Sequence, residues 1–337
     1  MSKSQRPPPT SSVKRSRPTL RYSFIRILTG SDLSRRRLPL MHAVGGLEGP
    51  NVWITACAHG DEVGGMAVIH EVFKQLKRGP QFHGEVRAFP LLNPLGFDAS
   101  SRHVSFSEED LNRAFPGNAE GSLAQRLAQR IFSAITETQP AFVLDLHNDW
   151  IRSIPYVVLD MQPKDGTPAS GPFRKACEIA KVLSLPIVQE HEVIAGALSH
   201  HLLEAGVAAL TIELGEAHVV NERNVALGVA LVLDVLSALN MIDRNAYSPI
   251  SEAADIADET MLMYNDQPVS STSGIIRFLV HPGMRVRKDQ PVARIVNAFG
   301  KVQQTLRAPA DALVLGYTDS AVAYPGAPVM AFGTYGE

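Results

Sequence analysis

Three short apolar runs, residues 52–57, 141–146 and 207–212, each lead into a side chain able to bind a metal or move a proton: His59, His147 and Glu213. Runs of this length, bounded by turn residues, read as buried strands. Helical spacing fills the intervals between them. Residues 62–77 place Val63, Met66, Ile69, Val72, Phe73 and Leu76 on one face, and residues 122–135 repeat Leu123, Leu127, Ile131 and Ile135 at intervals of four. Residues 173–183 and 221–239 have the same character. Strands alternating with helices predict an α/β fold, a largely parallel or mixed sheet flanked by helices on both faces. In such a sheet ligands gather beyond the carboxyl ends of strands, which puts the three polar side chains in one crevice.

Further strands are expected at 38–44, 85–92 and 156–159, with 45–50 (Gly-Gly-Leu-Glu-Gly-Pro) as a turn. From about Ser251 helical spacing stops, and Pro and Gly interrupt short runs at 274–280, 291–296 and 312–317. A catalytic domain over 22–245 and a separate small β domain over 250–337 are predicted, joined by a connector at 245–258. Residues 1–37 hold ten Lys/Arg against one acid, whereas the remainder holds 22 against 33, so residues 1–21 read as a basic, solvated, disordered tail.

Several classes of function are disfavoured. No stretch approaches the roughly 18 apolar residues of a membrane span, and no apolar core follows the basic N-terminus as in a secretory signal. The basic head lacks interleaved aromatics or a recognisable module, so nucleic acid is not an expected partner. Two cysteines, Cys57 and Cys177, exclude a disulfide framework and favour a reducing cytoplasm. Cys57 itself reads as an apolar filler within a strand.

His59 and Glu62 stand three apart in Ala58-His59-Gly60-Asp61-Glu62, and His147 can complete a set. Two imidazoles and one carboxylate leave one corner open, the pattern of catalytic zinc. One Zn²⁺ per chain is the expectation, although Co²⁺ or Mn²⁺ also suits these donors. Zinc so held lowers the pKa of a bound water from about 15.7 towards 7.

Three more motifs follow in order: Asp110-Leu111-Asn112-Arg113-Ala114-Phe115-Pro116-Gly117, Asp145-Leu146-His147-Asn148 and Ile212-Glu213-Leu214-Gly215. Together with the first they resemble the succinylglutamate desuccinylase/aspartoacylase family, a branch of the zinc carboxypeptidase-like hydrolases, over roughly residues 38–240. The resemblance implies His59, Glu62 and His147 as zinc ligands and Glu213 as the catalytic carboxylate that takes and returns a proton. It further implies Arg102 as the group that polarises the scissile carbonyl, and Asn112 with Arg113 as the holders of the substrate carboxylate. Asp145 reads either as a partner steadying a ligand or as a buried structural acid. His200-His201 read as a loop pair near the site and His218 as a pocket residue, while His70 falls in a helix and His83 in a turn. Arg102 has an alternative reading as a partner of Glu108 or Glu109. No counterpart is evident for the additional arginine and tyrosine with which aspartoacylases grip aspartate, which argues against N-acetylaspartate.

More loosely, residues 265–335 resemble the biotinyl/lipoyl-like β domain of related proteins, without its carrier lysine motif, and read as a lid or assembly module. The implied activity is zinc-dependent hydrolysis of the linear amide of a small N-acyl amino acid or related carboxylate, by a cytoplasmic enzyme for which a homo-oligomer is one option. Two alternatives share the residues: a zinc carboxypeptidase acting on peptides, and an inactive metal-bearing protein that binds an acidic metabolite.

Overall fold

The computed structural model describes residues 17–29, 35–247 and 261–336. In chain order the first strands and helices are β1 (Thr19–Thr29), β2 (Arg35–Val44), β3 (Gly46–Ala56), α1 (Gly64–Arg78), β4 (Phe82–Phe89), α2 (Pro94–Asp98) and α3 (Leu123–Thr136). Then come β5 (Phe142–Asp149), β6 (Arg152–Ser153), β7 (Pro155–Leu159), α4 (Ser170–Ala180), β8 (Ile187–Gln189), α5 (Leu198–Glu204), β9 (Ala209–Glu216) and α6 (Glu222–Ala238). The last part is all strand: β10 (Leu262–Asn265), β11 (Gly274–Phe278), β12 (Arg285–Val286), β13 (Pro291–Val296), β14 (Val302–Arg307), β15 (Ala312–Tyr317), β16 (Val322–Ala323) and β17 (Met330–Tyr335).

Among the described residues, thirteen strands form one mixed sheet in the order β1-β2-β4-β3-β5-β9-β7-β8-β10-β17-β15-β12, with β6 against β15. Its centre, β4-β3-β5-β9, is parallel, and β7 enters antiparallel to β9. Helices α1, α4 and α6 bury one face through side chains such as Val68, Phe73, Phe173, Val225 and Leu236. Helices α3 and α5 cover the other through Leu127, Ile131, Leu198 and Leu202, which pack on Trp53, Val143 and Ala209. The amphipathic spacing read from the sequence is thus what lays each helix on the sheet. Local chemistry sets the ends: Ser122 and Gln125 form a reciprocal capping box at α3, and the Asn221 side chain caps α6.

Several expectations are corrected. Residues 45–50 are not a free turn, since all but Gly45 belong to β3, whose pairing with β4 is interrupted by a bulge between Leu47 and Asn51. Of the predicted tail over 1–21, residues 1–16 lie outside the described residues, and residues 19–21 open an edge strand, Thr19–Thr29, paired along its length with β2. The connector at 245–258 falls largely outside the described residues, apart from a short 3-10 turn at Arg244–Ala246. The C-terminal strands do not all stand apart. A small antiparallel sheet, β14-β13-β11-β16, is separate, but β10, β17, β15 and β12 extend the main sheet, because β10 runs parallel to β8 with Leu262 opposite Val188. Among the described residues no helix is long and apolar enough to cross a membrane.

Candidate active site

The site lies on the sheet face covered by α3 and α5, where that covering stops. Along this face Trp53, Val143 and Ala209 form an apolar row; two residues on come Thr55, Asp145 and Thr211, in register across β3, β5 and β9; two more on come His147 and Glu213, again in register. The side-chain period of two thus carries one face from core to chemistry in four residues. His147 and Glu213 therefore sit inside strands, not after them.

β3 ends at Ala56, and the chain turns out of the sheet at Cys57, which holds a left-handed φ of 55°. The buried Cys57 thiol donates to the Glu62 carbonyl at 3.0 Å, closing the turn that brings His59 and Glu62 together. α1 then starts close against the sheet, where Gly65 leaves no room for a side chain: a Cβ there would lie 2.8 Å from Leu146 Cβ.

Glu62 Oε1 lies 2.5 Å from His59 Nδ1 and Oε2 2.9 Å from His147 Nδ1. One ligand atom from each of the three residues lies within 4.8 Å of the others, and all three residues are buried. The outward nitrogens are also engaged, His59 Nε2 with Asp110 at 3.0 Å and His147 Nε2 with Asp145 at 3.0 Å. A carboxylate on Nε2 would keep a proton there when an ion takes Nδ1, the arrangement of metal-binding histidines. The donor set, its burial and its outer partners fit a single divalent ion. Burial opposes charge on Glu62, yet the flanking imidazoles overrule it and hold the carboxyl far below its usual range. Burial likewise opposes charge on His147, but Asp145 and Glu62 raise its pKa well above normal.

The seven residues to which the resemblance gives a role, His59, Glu62, Arg102, Asn112, Arg113, His147 and Glu213, line one cavity of about 530 Å³. Arg102 is held by Asp110, not by Glu108 or Glu109, through two hydrogen bonds of 2.9 and 3.1 Å; its Nη1 lies 3.7 Å from Glu62. Asn112 accepts from the Leu198 N–H at 2.9 Å, and Arg113 donates to the Asn112 carbonyl at 2.8 Å. Burial, reinforced by Asp149, raises the Glu213 pKa well above the carboxylate norm, and among the described residues its buried Oε2 has no hydrogen-bond partner. Asp145 accepts from Thr55 at 2.6 Å besides facing His147 at 3.0 Å, the position from which it would steady that imidazole.

Some residues fall elsewhere. His200 and His201 are part of α5, paired with Glu204 at 3.5 and 2.9 Å, and do not line the cavity; His83 lies within β4. His218 stands 3.8 Å from Asp61. Sequence reasoning missed Asp149, Asp160, Glu190, Tyr264, Asp266 and Asp319, all of which line the cavity. The alternation His147-x-Asp149 was a usable signal for the first. The last three arrive from the C-terminal strands, where no local pattern marks them. A larger open groove beside β1 and α1, lined by Arg17, Lys74, Lys77 and Arg78 among others, holds no comparable set.

The sequence profile of the succinylglutamate desuccinylase/aspartoacylase catalytic domain matches residues 48–239, and the chain belongs to this family. It is 26% identical over 261 residues, 74% of this chain and 71% of the relative, to the N-alpha-acetyl-L-2,4-diaminobutyric acid deacetylase of Halomonas elongata. A crystal structure of a succinylglutamate desuccinylase from Silicibacter sp. superposes with a TM-score of 0.79 at 18% identity, covering 97% of this chain and 98% of the other. The product-bound ectoine utilization protein EutE (DoeB) from Ruegeria pomeroyi gives 0.78 at 21% identity, over 98% and 100%. Both establish the likeness of fold.

Proposed function

We propose that this protein is a zinc-dependent amidohydrolase that removes a small acyl group from an N-acylated amino acid or related carboxylate. The observation that carries the reading is a buried His59–Glu62–His147 set, its outer nitrogens tied to Asp110 and Asp145, sharing a cavity with an unpartnered Glu213 oxygen. Family membership and the deacetylase relative support the same class of reaction.

His59, Glu62 and His147 would hold the ion, which when bound polarises a carbonyl and acidifies a water. Glu213 takes the proton of the attacking water and passes it to the leaving amine. That dual task suits a carboxyl whose pKa is raised by burial and by Asp149. Arg102 has Nε and Nη2 committed to Asp110, which leaves Nη1 to donate to the developing oxyanion. Asn112 spends its carbonyl oxygen on Leu198, so its amide N–H groups and the Arg113 guanidinium are the donors for a substrate carboxylate. The C-terminal segment contributes wall residues Tyr264, Asp266 and Asp319, and a cavity of about 530 Å³ suits an acyl amino acid better than a polypeptide. Free thiols at Cys57 and Cys177 support a cytoplasmic setting.

Metal analysis joined to an amine-release screen over N-acyl amino acids tests this. Near-stoichiometric zinc is expected in the parent and in Glu213→Gln, with release falling about 100-fold or more in the variant. Equal rates in both would refute the role given to Glu213.

A further inference from the structure

The groove beside β1 and α1 is charged unlike the chain as a whole. Residues 38–337 carry 33 acids against 22 Lys/Arg. Yet among the described residues no acidic side chain lines this groove of about 1320 Å³, nor the hollow of about 400 Å³ that shares Tyr22 and His70 with it. On α1, His70, Lys74, Lys77 and Arg78 recur at i, i+4, i+7 and i+8, so one exposed stripe of the helix carries the charge. Lys74 is held by Glu71 at 2.9 Å. Among the described residues no carboxylate pairs with Lys77, Arg78 or Arg17, and all three line the groove. Four more Lys/Arg and no acid occur in residues 1–16, directly before Arg17 in the chain.

The opposite wall is β1, the outer edge of the large sheet. Its alternation sends Ile25 and Ile27 to the core beneath α3, and Leu20, Tyr22 and Phe24 to the other face. Tyr22 is 67% exposed and Phe24 63%, and the Arg37 guanidinium stands 5.6 Å over the Phe24 ring. An apolar side chain exposed singly needs no explanation. Two rings in register on one strand, within a concave, cationic and acid-free groove, do need one.

We propose that this groove binds a single-stranded nucleic acid, its phosphates along the α1 stripe and its bases stacked on Tyr22 and Phe24. A cationic groove that tracks the backbone and aromatic rings that stack successive bases are the two components of such binding. The basic head of the sequence holds only the first, and folding adds the second by setting β1 beside α1. A duplex keeps its base faces covered, so it gains from the charge and not from the rings. A bilayer would take up rings from a protruding surface, whereas these line a hollow. The proposal is independent of the deacylase reading.

Fluorescence anisotropy of a labelled oligothymidylate of about 20 nucleotides, with the full chain, tests it beside a duplex of the same length. The single strand is expected to bind about tenfold or more tighter than the duplex. Its affinity should fall with salt at a log–log slope of about −2 or steeper, from about −0.7 for each of the three unpaired cations. Tyr22→Ala should cost about fivefold or more and Tyr22→Phe little, because the ring alone stacks. Lys77→Glu combined with Arg78→Glu should cost about tenfold or more and flatten the slope. All these side chains are exposed, and circular dichroism melts matched to the parent show the variants folded. Affinity unmoved by Tyr22→Ala and equalled by the duplex would reduce the groove to a charged surface and overturn the proposal. Binding unchanged in the double variant would place the strand on another basic segment and overturn it as well. So would the absence of binding at low salt, or capture by phosphatidylserine vesicles in place of the oligonucleotide.

Discussion

Removing the carboxylate behind His147 is expected to weaken zinc binding more than removing the one behind His59, and the structure sets the order. Asp145 is 2% exposed and accepts twice, from the Thr55 hydroxyl at 2.6 Å and at His147 Nε2 at 3.0 Å. In Asp145→Ala both buried donors lose their acceptor, at about 1–3 kcal/mol each. His147 is then free to carry its proton on Nδ1, the nitrogen that must be bare to bind metal. Loss of such an outer partner typically lowers metal affinity about 10–100-fold, equivalent to roughly 1.4–2.8 kcal/mol. Asp110 does the same for His59, but its side chain is 15% exposed, so water can replace it. Asp110→Ala should therefore weaken zinc by less than about tenfold. It should harm turnover more, because Arg102 loses both of its hydrogen bonds to Asp110. Zinc dissociation constants from competition with a fluorescent chelator, on samples shown to be folded by circular dichroism, decide the matter. An Asp145→Ala constant within about threefold of the parent, or a larger loss in Asp110→Ala, would refute the tautomer reasoning.

Zinc binding should also displace protons, because burial opposes charge on His59 and His147 but neighbouring carboxylates hold both pKa values above normal in the metal-free site. Near pH 6, calorimetry in buffers of different ionisation enthalpy should find close to two protons released per zinc, with affinity rising as pH rises; release below about half a proton would contradict the charge balance. A raised histidine pKa stabilises the metal-free fold fully below the unfolded value of about 6.5 and loses that effect as pH climbs through the folded one. The apo melting temperature should accordingly fall across that window more than the zinc-loaded one, a contrast readable by scanning calorimetry. Gly196 has φ +79°, and a Cβ there would lie 2.1 Å from the Arg113 carbonyl oxygen. Gly196→Ala should cost more than about 1 kcal/mol in denaturant unfolding and raise KM by displacing Arg113, whereas an unchanged KM would separate that loop from substrate binding.

Much of this site was legible because its metal half is built locally. His59 and Glu62 share one turn, and His147 and Glu213 occupy opposed positions on adjacent strands whose apolar stretches are unmistakable. The same apolar signal misplaced the strand ends. It stops at Leu146 and Ile212, where the sheet face turns polar, although backbone pairing continues to Asp149 and Glu216. β1 escaped notice for the opposite reason: Arg21 and the basic residues before it drew its first residues into a charged tail, while Ile25 and Ile27 pack on the core. Composition also misled at 46–50, because a bulged strand tolerates the Gly and Pro that usually mark a turn.

The other half of the cavity follows different rules. Tyr264 and Asp266 reach it only because β10 joins β8, and Asp319 because β15 continues the same sheet through β17. None of these pairings has a sequence spacing that foretells it, since the strands are short and reach the site from the far end of the chain. Asp160 and Glu190 are intermediate cases. Each follows a recognisable run of apolar residues, yet their adjacency depends on β7 and β8 lying side by side. On the proposed reading the reaction resides in a few central strands, and selectivity in how distant segments extend the sheet. A change in the β10 region should thus alter which acyl amino acid is taken while leaving zinc affinity intact, because among the described residues no candidate ligand or outer partner of the metal site comes from that segment.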